Sequence, residues 1–70
     1  MLRIKLWRHQ NRLTQEEAAA RLGLSVSAYA LLESGRLRAS PGQIEQLRRT
    51  FGAAADTLFD PVDERVEAAP

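Results

Sequence analysis

Residues that start and stop helices recur along this chain at intervals too short for any long element. Thr14 stands three positions before Glu17, and Ser40 three before Gln43, which is the spacing of two capping boxes. Gly23, Gly35 and Gly52 stand where helices would end, and Ser25 offers an N-cap two residues after the first of them. β-Branched residues are scarce and few stretches alternate apolar with polar. The expected architecture is therefore all-α, built from short helices.

The helices can be placed. The first runs over about 2–10, with Ile4, Trp7 and Leu6 on its apolar side and Arg3, Lys5 and Arg8 on or near its polar side. Asn11 and Arg12 form the following turn. Thr14 caps a second helix, where Glu16 and Glu17 meet the positive end of the dipole and Ala18, Ala19 and Leu22 face inward. Ser25 caps a third, Val26–Ser34, ended by Gly35. After the loop Arg36-Leu37-Arg38-Ala39, Ser40 caps a fourth with Pro41 at its first position and Ile44, Leu47 and Phe51 at helical spacing. A fifth is expected over about 54–59, carrying Ala55, Leu58 and Phe59 and stopped by Pro61. The domain is expected over 1–59, with 60–70 a loose acidic tail. Val62 and Val66, four apart in that tail, could extend a dimer contact.

Composition removes several function classes. Seventy residues, 44% of them apolar and 27% charged, suit one small folded domain. With no cysteine and a single histidine, no disulfide, thiolate site or multi-histidine metal site is possible. His9 reads as a helix-end surface residue. Glu16 and Glu17 are adjacent and cannot oppose each other across a substrate. No phosphate loop or nucleophile motif is present. No catalysis, cofactor, metal or small-molecule ligand is expected. No apolar run approaches the ~20 residues of a membrane span, and no signal-peptide stretch opens the chain, so a cytoplasmic location is expected.

Charge is uneven. Residues 1–59 carry nine Lys/Arg and five Asp/Glu, a balance of +4, while 60–70 carry one and four, a balance of −3. A basic body with two helices joined by a glycine turn is the arrangement of a helix-turn-helix.

The ordered run Leu13-Thr14-Gln15-Glu16-Glu17-Ala18-Ala19, Leu22-Gly23-Leu24-Ser25 and Leu32-Glu33-Ser34-Gly35 resembles the Cro/cI-type (XRE) helix-turn-helix family. The resemblance continues through Ser40, Ile44, Leu47, Phe51-Gly52 and Asp56-Thr57-Leu58, and so covers roughly residues 2–59. It implies a five-helix bundle of phage-repressor type that binds double-stranded operator DNA as a homodimer, with a regulatory protein as a further partner. By position, Thr14 and Gln15 would meet phosphate, and Gln15 would brace the third helix; the plain alternative is a solvated first turn. Arg8 and Glu33 would form a buried ion pair, or else stand as two exposed charges. Arg36, Arg38, Ser40 and Gln43 would lie along the DNA backbone. Leu58 and Phe59 would form the dimer contact.

The sequence departs from that family at the positions that would face bases. Val26, Ser27, Ala30 and Leu31 stand there, and only Ser27 can hydrogen-bond a base edge. Three readings stay open: apolar contact with thymine methyls, recognition through DNA shape, or a helix turned to protein contact. A chain this short leaves no room for a separate sensing domain, so regulation is expected through abundance, dimerisation or a partner protein. The principal expectation is a DNA-binding regulator, a repressor in type, acting on a palindromic operator as a dimer; the alternative is a scaffold that serves as a protein–protein interaction module.

Overall fold

The computed structural model describes residues 1–62. It contains α1 (Arg3–Gln10), α2 (Gln15–Leu22), α3 (Val26–Glu33) and α4 (Pro41–Phe51), followed by a 3₁₀ segment, Gly52–Thr57. Both capping boxes close. Thr14 Oγ1 accepts from the Glu17 amide at 3.1 Å while Glu17 Oε1 accepts from the Thr14 amide at 2.9 Å. Ser40 and Gln43 make the equivalent bonds at 3.2 and 2.9 Å.

The fifth α-helix does not form. Gly52, at φ +62° and ψ −137°, breaks the path of α4, a conformation that side chains disfavour. Only six residues remain in the turn that follows. An α-helical nucleus orders several residues for its first bond, so so short a piece closes i→i+3 bonds instead.

The two ends of the described residues meet, which the sequence did not announce. Leu2, the N-cap of α1, gives no side-chain cap. The first amides of α1 are satisfied from the far end: Arg3 N–H donates to Asp60 C=O at 3.0 Å and Ile4 N–H to Leu58 C=O at 2.8 Å. Leu2 and Pro61 form an antiparallel bridge, and Val62 N–H donates to Met1 C=O at 2.8 Å. The bonds flank the bridged pair, so the missing N–H of Pro61 costs nothing there. Asp60–Val62 is thus tied down where a loose tail was expected. Residues 63–70, including Val66, lie outside the described residues.

Ile4, Leu22, Tyr29, Leu32 and Leu47 are wholly buried. Trp7 packs its ring edge-on against Phe51, centroids 5.0 Å apart at 80°. Leu58 belongs to this core at 3% exposure. Its burial by its own chain leaves little surface for the dimer contact expected of it. Phe59 remains half-buried at the surface.

Candidate nucleic-acid interface

The turn between α2 and α3 sets their angle. Gly23 adopts φ +70°, and its amide and that of Leu24 cap α2 by bonding Ala20 C=O at 3.3 Å and Ala19 C=O at 2.9 Å. A Cβ on Gly23 would run into the Gln46 side chain of α4, so the turn is also a close approach. Ser25 Oγ then accepts from the Ala28 amide at 3.1 Å and starts α3 without an intervening loop.

The inner face of α3 is locked by charge as well as by packing. Arg8 grips Glu33 with two prongs, Nε to Oε2 at 2.8 Å and Nη2 to Oε1 at 2.9 Å. Gln15 Nε2 donates to Oε1 at 3.2 Å, and Arg8 Nη1 donates to Leu13 C=O at 3.0 Å. One cluster thereby joins α1, the start of α2 and the end of α3. Burial by itself would raise the Glu33 pKa, but the hydrogen bonds, led by those from Arg8, outweigh it and hold the carboxyl below its usual range. The bond to Glu33 raises the Arg8 guanidinium in turn. Tyr29 places its hydroxyl beside the pair without a hydrogen bond of good geometry; burial first, and the carboxylate next, push its pKa up.

The outer face is apolar. Val26 and Ala30 are four apart, as are Ser27 and Leu31, so the four share one side of α3, opposite Tyr29, Leu32 and Glu33. Val26 is 43% exposed and Leu31 42%. Ser27 is exposed and Ala30 half-buried. No described segment covers them. The only carboxylate of α3 is the buried, neutralised Glu33, and its first turn carries no acid.

The flanking residues divide into two groups. Arg36 sits at the end of α3, its amide donating to Leu31 C=O at 3.0 Å, and its side chain is exposed. Arg38 instead lines a groove of about 410 Å³ with Leu2, Leu37, Ile44 and Phe59. Thr14, Ser40 and Gln43 spend side-chain acceptors on their capping boxes, yet each keeps a donor: the two hydroxyl hydrogens and the Gln43 amide nitrogen. Gln15 has its amide nitrogen committed to Glu33. Two participants escaped the sequence reading. Gln46 covers Gly23 from a helix remote in sequence. Leu37, 40% exposed, stands between Arg36 and Arg38, and an apolar residue there is the signal that could have marked it.

A family model described as a helix-turn-helix domain matches residues 2–61. The chain belongs to this family, which is of the XRE/Cro type. The matched span of the helix-turn-helix domain begins and ends on the bridged pair, Leu2 and Pro61. No curated protein and no solved structure matches the chain. Among the described residues no helix is long and apolar enough to cross a membrane, and no three His, Asp or Glu side chains cluster as a metal site would require.

Proposed function

We propose that this helix-turn-helix domain is a sequence-specific transcriptional regulator, a repressor that occupies a palindromic operator as a homodimer in the cytoplasm. One observation carries the reading. A helix whose inner face is clamped by Arg8, Glu33 and Gln15 leaves its opposite face open, free of carboxylates and ended by an exposed Arg36. Such a helix can enter a major groove about 12 Å wide while Arg36 and the starts of α2 and α4 meet phosphates. Affinity for short duplexes should fall linearly in log salt, by about 0.9 per phosphate contact. Arg36→Ala should weaken all duplexes alike and flatten that slope by about one. No binding at low salt would sink the reading.

Dimerisation is proposed through the groove that holds Phe59. Its lining includes the apolar Leu37 and Phe59 beside Arg38, and the exposed Asp60 follows Phe59 in the chain. A two-fold contact through this groove would bury the same apolar surface on both copies, and operator binding would require it to hold the recognition helices about 34–36 Å apart. Leu37→Glu should shift the protein to monomer in sedimentation equilibrium; an unchanged mass would place the interface elsewhere. A second reading, a protein–protein interaction module, is favoured by the same exposed Val26, Leu31 and Leu37. Duplex binding absent at every salt concentration would select it.

A further inference from the structure

We propose that α3 recognises the C5-methyl group of pyrimidines in double-stranded DNA, so that thymine and 5-methylcytosine are read alike and cytosine methylation creates binding sites. The inference rests on the DNA-binding reading above and specifies what the exposed face selects.

The major-groove edge of thymine offers a carbonyl acceptor, O4, and a methyl group. Cytosine offers an amino donor, N4, and no methyl. A protein tells these bases apart by donors and acceptors, by the methyl, or by both. The outer face of α3 presents Val26, Ala30 and Leu31, none of which can donate or accept through its side chain. Its one polar group, the Ser27 hydroxyl, does both, and therefore suits O4 and N4 equally. Of the longer polar side chains nearby, two are held elsewhere and one lies past the helix. Gln15 and Arg8 are bound to Glu33, and Arg36 stands beyond the last turn. What remains to discriminate is apolar surface. Val26 and Leu31, each more than two-fifths exposed and flanking Ala30, leave a shallow apolar face suited to methyl groups. A methyl entering it leaves water, which favours the methylated base. The same contact forms whether the methyl belongs to thymine or to 5-methylcytosine, because both carry it at C5.

The test uses the whole chain and duplexes enriched from a random pool at low salt. The enriched duplex is made with thymine or with deoxyuridine. In a second pair, its contacted T·A pairs become C·G pairs carrying cytosine or 5-methylcytosine. Anisotropy titrations should show deoxyuridine weakening binding by about fourfold for each methyl lost, the transfer value of one buried carbon. 5-Methylcytosine should bind more tightly than cytosine by a similar factor. Leu31→Ala, checked for helical content by circular dichroism, should shrink both ratios. Salt-dependent binding that ignores both substitutions overturns the proposal and leaves DNA binding standing. Absence of any duplex binding overturns both.

Discussion

Arg8→Ala should cost about 3–5 kcal/mol, the loss expected when one partner of a buried ion pair is removed. A domain of this size holds only about 4–10 kcal/mol in all, so the variant should be largely unfolded in mild urea. Glu33→Ala should cost less. The Arg8 side chain is 14% exposed and keeps its bond to Leu13, whereas the Glu33 side chain is 4% exposed and would be left with Gln15 as its remaining donor. Urea titrations followed by Trp7 fluorescence give both values, and a reversed order would refute the account of the pair. Replacing both by apolar residues, Arg8→Met with Glu33→Leu, should recover much of the loss, since neither charge is then stranded. The pair also sets an acid limb. The folded-state pKa of Glu33 is lowered, so its contribution is present at neutral pH. It begins to fade near the unfolded value of about 4.3 and is lost as pH falls through the folded pKa. Glu17, lowered by its backbone bond within the capping box, contributes with the same sign. Glu33→Gln should flatten the acid limb without abolishing it.

Leu47→Ala should cost about 2–5 kcal/mol, in the range of a lost core leucine and its cavity. Leu47 is the one wholly buried residue of α4, an eleven-residue helix otherwise anchored by the half-buried Ile44 and Phe51. The same helix carries Gln46 over the Gly23 turn, so a loosened α4 removes support from the angle between α2 and α3. Leu31→Ala is the matched control. At 42% exposure it should change the urea midpoint little, because surface truncations fall mostly within about 0.5 kcal/mol. Equal losses at the two leucines would mean that α4 is not held as described.

Much of the site was legible before the fold. Thr14 with Glu17, and Ser40 with Gln43, meet only through their neighbours in sequence, so spacing alone predicts both capping boxes. The placement of Val26, Ser27, Ala30 and Leu31 on one side of a helix follows from the 3.6-residue period. The pairing of Arg8 with Glu33 came from family resemblance, since nothing local links residues 25 apart. The role of Gln15 was half legible. Its position suggested a brace, but that its amide nitrogen is committed to Glu33 depends on a contact across 18 residues. The burial of Leu58 was not legible for a related reason. An apolar residue near the end of a domain looks like an interface until something covers it, and here its own chain does.

The sequence by itself determined where helices begin and end, because capping boxes, glycine stops and proline starts act within a turn or so of their own positions. It determined the apolar character of the outer face of α3, and it excluded disulfides, thiolate sites and multi-histidine metal sites through composition. Only the tertiary structure decided that Asp60–Val62 closes over the start of α1 and that Arg38 lines a groove apart from Arg36. It alone buried Leu58 and left Leu37 exposed. Each of these depends on residues remote in the chain meeting in space, where a backbone amide or an apolar surface takes whichever partner packing supplies.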